Sequence, residues 1–153
     1  MKASGSAWAI LLCLFLVGRA QAACTVSATG INFGVYDTFA VTPLDSTGSI
    51  TVSCDRNPPT DVTVAIGPSG TSGGFTPRMM GQASRPGRLN YNLFTNASRN
   101  VIWGDGTGGT ATVFLRKINR NHPETATIYG RIPPLQSVAS GSYSDRLTVT
   151  ITP

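Results

Sequence analysis

The sequence predicts a single all-β domain, an antiparallel sandwich of short strands, and three observations predict it. Apolar residues recur at every second position in one segment after another, as strands with one buried face require. Only 12% of the 153 residues are charged while 41% are hydrophobic, about half the roughly 25% charge of an average soluble domain. That balance excludes a charged disordered tail and a coiled coil. Gly and Pro, 17 and 10 in number, are too few for a collagenous chain but suffice to punctuate many short strands.

The first segment reads as an address. Met1-Lys2 supplies a positive start, Ala7 to Val17 is an apolar run, and Ala20-Gln21-Ala22 has the small-x-small form accepted by signal peptidase. Residues 1–22 are therefore expected to be a signal peptide and residues 23–153 the domain. As a membrane anchor the run is too short, spanning about 16 Å as a helix, roughly half a hydrocarbon core. A lipid-modified Cys24 is disfavoured because Gln21 stands where a lipobox expects Leu. Cleavage leaves 131 residues, removes Lys2 and Arg19 and lowers the formal charge from +5 to +3. The remaining basic residues are scattered between Arg56 and Arg146, not clustered with aromatics, so nucleic acid is not an expected partner. Cys13 leaves with the signal, and the pair that remains in an exported chain, Cys24 and Cys54, is expected to form a disulfide.

The elements follow in order. Ile31, Phe33 and Val35 alternate with Asn32 and Gly34; Ile50, Val52 and Cys54 alternate with Thr51 and Ser53; Val62, Val64 and Ile66 repeat the pattern. Gly67 to Gly87 reads as a long loop with a short edge strand at Arg78 to Met80. Leu89, Tyr91 and Leu93 form the next strand. Ala111 to Ile118 and Ala126 to Ile132 flank the polar cluster Asn119-Arg120-Asn121-His122-Pro123, which predicts a hairpin. Leu147, Val149 and Ile151 alternate with threonines up to Pro153. No segment carries sustained helical periodicity, so one sandwich resembling the immunoglobulin class is the economical fold.

Candidate chemistry is sparse. Trp103-Gly104-Asp105-Gly106-Thr107-Gly108-Gly109-Thr110 lacks the Gly-Lys-Ser/Thr ending of a phosphate loop and the carboxylates of a calcium loop; it reads as a tight turn with glycines at positive φ. His122, the one histidine, lies in a turn with no nucleophile motif to serve. Glu124 and Asp145 have no spacing that favours paired-carboxylate hydrolysis. Asn96-Ala97-Ser98 matches a glycosylation sequon, a frequent chance pattern in a Ser-rich chain. No enzymatic activity, metal or cofactor is expected.

The closing strand is the most informative feature. Leu147, Val149 and Ile151 have only threonine between them and no charge after Arg146. Proteins usually blunt such an edge with Lys, Pro or a bulge, whereas an unguarded edge invites strand addition by another chain.

Five blocks in order resemble the spore coat protein U domain family: Asn32-Phe33-Gly34-Val35-Tyr36-Asp37, Thr47 to Cys54, Leu89 to Leu93 leading to Trp103-Gly104-Asp105-Gly106, Tyr129-Gly130-Arg131-Ile132-Pro133, and Gly141 to Asp145. Pro134-Leu135 departs mildly from the small residues usual after the Ile-Pro step. The resemblance implies an immunoglobulin-like antiparallel β-sandwich lacking its last strand, as in subunits of archaic chaperone-usher pili. It implies a hydrophobic groove between the first and last strands, filled first by a periplasmic chaperone and then, at the outer-membrane usher, by the N-terminal extension of another subunit. Carried onto this chain, the groove residues are Ile31 and Phe33 on one side and Leu147, Val149 and Ile151 on the other.

A repeating subunit of this family needs a donor segment of about ten alternating residues before its first cysteine. With cleavage after Ala22, only Ala23 precedes Cys24. The expected role is thus a strand acceptor: a terminal or accessory subunit of a surface appendage, or a coat protein, in the periplasm and then at the cell surface or secreted. The rival expectation is a self-complete secreted sandwich that binds a carbohydrate or surface ligand.

Overall fold

The computed structural model describes residues 23–83 and 85–153; the expected signal peptide lies outside them. Eight strands appear: β1 (Cys24–Thr29), β2 (Leu44–Cys54), β3 (Thr60–Ile66), β4 (Arg78–Gly81), β5 (Arg88–Phe94), β6 (Val113–Ile118), β7 (Glu124–Ile132) and β8 (Val149–Thr152). They form two antiparallel sheets, ordered β1-β2-β7-β5-β4 and β6-β3-β8. The described residues contain no helix. Alternation places Ile50 and Val52 of β2, Val62, Val64 and Ile66 of β3, Leu89 and Leu93 of β5, and Ile128 and Ile132 of β7 inward, where they make one core with Trp103. Their outward neighbours on β2 and β7 are mostly Ser and Thr, which β-structure favours on an exposed face.

Cys24 and Cys54 are bonded, with a sequence separation of 30. They are also Cα partners in the β1–β2 ladder, so the link fastens β1 to its single neighbour at the first residue. Closing a loop of this length stabilises the domain by roughly 3–4 kcal/mol on the chain-entropy account.

The structure departs from the sequence expectations at three places. Residues 31–35 do not form a strand. They run as an irregular segment outside any ladder, and the first strand is instead Cys24–Thr29, whose Thr and Ser content hid it. Second, β6 and β7 are not a hairpin. Asn119 and His122 do close a turn by two main-chain bonds, but Lys117 takes a left-handed φ of 55° and the chain crosses between sheets: β6 pairs with β3 and β7 with β2 and β5. Third, the last strand starts at Val149, leaving Leu147 just before it. The short edge strand expected near Arg78 to Met80 is present as β4.

Trp103-Gly104-Asp105-Gly106 combines core and turn. The indole is fully buried and donates to the Val64 carbonyl at 3.0 Å, while Gly106, Gly108 and Gly109 all have positive φ.

Candidate functional site, an open apolar groove

Among the described residues, β8 pairs with β3 on one side and borders no strand on the other. Its register sets Val149 opposite Ile66 and Ile151 opposite Val64, so both apolar side chains follow the inward face of β3. The ladder continues backward through main-chain bonds from Gly67 N–H to the Thr148 carbonyl and from Gly70 N–H to the Arg146 carbonyl. Leu147, between those two acceptors, has no main-chain partner among the described residues. In an extended chain alternate residues direct their amides to opposite sides, so the unpaired groups of this stretch face away from β3.

The facing wall is the segment that follows β1. From Gly30 to Tyr36 no ladder engages the main chain; side-chain bonds pin it instead. Ser46 Oγ donates to the Asn32 carbonyl at 2.7 Å, and the Tyr36 hydroxyl donates to the Pro133 carbonyl at 2.9 Å and accepts the Gln136 N–H at 2.8 Å. Ile31 and Phe33 rest on two glycines of the inner sheet face. A Cβ at Gly130 would lie 2.7 Å from Phe33 Cζ and 2.9 Å from Ile31 Cδ1, and a Cβ at Gly48 would lie 2.6 Å from the Thr29 carbonyl oxygen. Only glycine permits that close approach.

Between the walls lies a cleft of about 350 Å³ touched by Ile31, Phe33, Leu147 and Val149, with Ile50, Ile66, Leu93 and Ile128 among the residues beneath. It abuts a wider cleft of about 840 Å³, and Ile31, Phe33, Met80 and Tyr143 line both. The first wall runs from Ala28 to Phe39 as the second runs back from Val149 to Val138, so the two clefts make one long groove. The structure thus brings four of the five expected groove residues together. Ile151 is the exception: it is partly buried against the core but does not border the cleft, because the β8 register carries it past the groove's end to Val64.

The Spore Coat Protein U domain matches residues 13–150. The chain belongs to this family. Protein U of Myxococcus xanthus is 32% identical to this Spore Coat Protein U chain over 130 residues, covering 80% of this chain and 70% of that protein. Among solved structures, the chain is similar to one in the CsuC-CsuE chaperone–tip adhesion subunit pre-assembly complex from the archaic chaperone-usher Csu pili of Acinetobacter baumannii. The TM-score is 0.58 at 22% identity, over 86% of this chain and 39% of that one. The shared feature is the immunoglobulin-like sandwich; this chain spans well under half of its neighbour's length.

Tyr91 and Asp145 border the groove, and Arg78 is buried in the core against the Ile66 carbonyl; the sequence marks none of the three as a groove residue. From the sequence, Tyr91 is expected in a strand, and Asp145 at the end of the Gly141 to Asp145 block with no paired-carboxylate role. Tyr91 donates to Asp145 at 2.7 Å; burial first, and that bond second, push its phenol well above the usual tyrosine range. Asp145 is engaged with Tyr91 and Thr71, whereas exposed Glu124 opens β7 opposite Val52. Arg78 is fully buried and its guanidinium is held below the usual arginine range by that burial. No single-position signal in the sequence marks any of the three, because their partners are distant in the chain.

Proposed function

We propose that this protein is a non-catalytic structural subunit of a bacterial surface appendage or coat, exported and then assembled by donor-strand complementation, in which it accepts a strand. The observation that carries the reading is the groove itself, whose two walls have main chain without a ladder partner and whose floor is apolar. An extended segment laid between the walls supplies main-chain hydrogen bonds to both and side chains to the clefts, the two ingredients of strand addition. Each fully buried apolar side chain contributes roughly 1.5–3 kcal/mol, so four or five offset the ordering cost of binding and give a slowly released contact.

Family membership and the fold shared with a chain of a chaperone–subunit complex support a periplasmic pilus chaperone as the first occupant. Other subunits are the later occupants, passed on at an outer-membrane usher, and the route runs through the periplasm to the cell surface. Residues 1–22 are the export signal in this reading.

Co-expression with a periplasmic chaperone of the archaic chaperone-usher class tests it. The parent chain is expected to co-purify with the chaperone, and Val149→Asp, which places a charge in the groove, is expected to lose it while the Cys24–Cys54 bond still forms. A parent chain that is soluble, monomeric and protease-resistant alone, and that ignores the chaperone, overturns the proposal in favour of a self-complete sandwich.

A further inference from the structure

Tyr91 touches both walls of the groove from its floor. It lies on β5 with 4% exposure, and its ring meets the Phe33 ring of the first wall edge-on, 6.2 Å between centroids with planes at 67°. On the other side its hydroxyl donates to Asp145 Oδ2 of the second wall at 2.7 Å. Asp145 is itself the centre of that wall's attachment. Its Oδ1 accepts the N–H of Arg146 at 2.9 Å and of Thr71 at 3.1 Å. The Gly70 N–H bonds the Arg146 carbonyl, and Gly81 and Ser144 exchange two main-chain bonds. Residues 144–146 therefore hang from the 69–71 turn and the end of β4, and the free stretch at Leu147 begins directly after them.

We propose that Tyr91 and Asp145 form a strut that holds the empty groove open at strand-accepting width. An unfilled apolar groove gains by closing on itself, because closure removes apolar surface from water. A rigid ring of fixed length opposes that closure: the Leu147 wall cannot move inward without meeting the ring, nor outward without breaking the hydroxyl bond and leaving a buried phenol unsatisfied. A groove whose width is set in advance spends less free energy on ordering when a strand arrives. The inference rests on the reading of the groove as a strand acceptor.

Tyr91→Phe keeps the ring and removes the tether, and amide hydrogen exchange of the unliganded chain reads the result. The amides of Gly70, Thr71 and Ser144 are expected to exchange about tenfold faster, as the loss of one hydrogen bond to a charged group implies, while Thr127 and Ile128 of β7 stay unchanged. Adding Asp145→Asn to Tyr91→Phe is expected to accelerate Thr71 further, since Asp145 Oδ1 also accepts the Thr71 N–H and a neutral amide oxygen is a weaker acceptor than a carboxylate. Unchanged exchange at the three amides, or acceleration spread evenly over the domain, overturns the strut. Binding of a synthetic peptide of alternating valine and threonine, with lysine at each end, is the second readout. It is expected to weaken by a similar factor in Tyr91→Phe. If the parent chain binds no such peptide, the strand-acceptor reading falls, while the exchange result still decides the strut separately.

Discussion

Arg78 brings a full positive charge into the core with no carboxylate in salt-bridge contact among the described residues. Four oxygens take its place: Asn92 Oδ1 at 2.9 Å, and the carbonyls of Ile66 at 3.3 Å, Gly67 at 2.9 Å and Trp103 at 2.8 Å. The Phe75 ring lies 5.2 Å from the guanidinium carbon. Because β4 belongs to one sheet and Ile66 ends a strand of the other, this side chain pins the two sheets together close to the groove floor. Removing it leaves buried carbonyls unpaired, each hydrogen bond to a charged group being worth about 1.5–3 kcal/mol. Arg78→Met is expected to lose roughly 2–4 kcal/mol in urea denaturation, and Arg78→Lys to recover only part, since an ammonium has fewer donors and no planar fork. A fully stable Arg78→Met variant would dismiss the pin.

Among the elements, the two groove walls show best how far alternation carries. In β2, β3 and β5 the apolar period of two predicts both the inward side chains and a paired main chain, and both are found. At residues 31–35 the same period predicts a strand with Ile31, Phe33 and Val35 inward; Ile31 and Phe33 do face inward, but Val35 is 93% exposed and there is no strand, because the segment packs on Gly48 and Gly130 rather than bonding along an edge. Pattern reports which side chains seek the core; it is silent on where the amides go. β1 was missed for the opposite reason: Val26 is its one large aliphatic residue, and the Cys24–Cys54 bond and the ladder to β2 hold it in place. The glycine pads lead to a ranking. Gly48→Ala meets the Thr29 main chain at 2.6 Å, whereas Gly130→Ala meets the far ends of Phe33 and Ile31, which can give way. Both are expected to destabilise by about 1–3 kcal/mol, Gly48→Ala the more, by chemical denaturation. Gly130→Ala is also expected to weaken strand binding, since Phe33 and Ile31 are pushed toward the groove; a reversed order of stabilities contradicts the packing.

For the whole molecule, the charge-poor composition fits the proposed strand-acceptor role. Each sheet has edges, and those of β6 and β8 differ: β6 carries Arg116 and Lys117, a guarded edge, while β8 carries no charge. Only the unguarded one borders the groove. The exported protein is expected to begin at Ala23 with its disulfide intact, and intact-mass measurement of the secreted chain checks both; a start elsewhere contradicts the cleavage reading. The sequence by itself determined the all-β class, the cysteine pair, the inward faces of most strands and the uncharged closing strand, since each depends on residues a few positions apart. Tertiary structure alone decided that β6 and β7 part into different sheets, that residues 30–36 stay unpaired, that Ile151 passes beyond the cleft, and that Tyr91, Asp145 and Arg78 meet their partners. Those outcomes rest on contacts between residues far apart in the chain, and no local period or turn residue encodes which distant groups will satisfy a buried phenol or guanidinium.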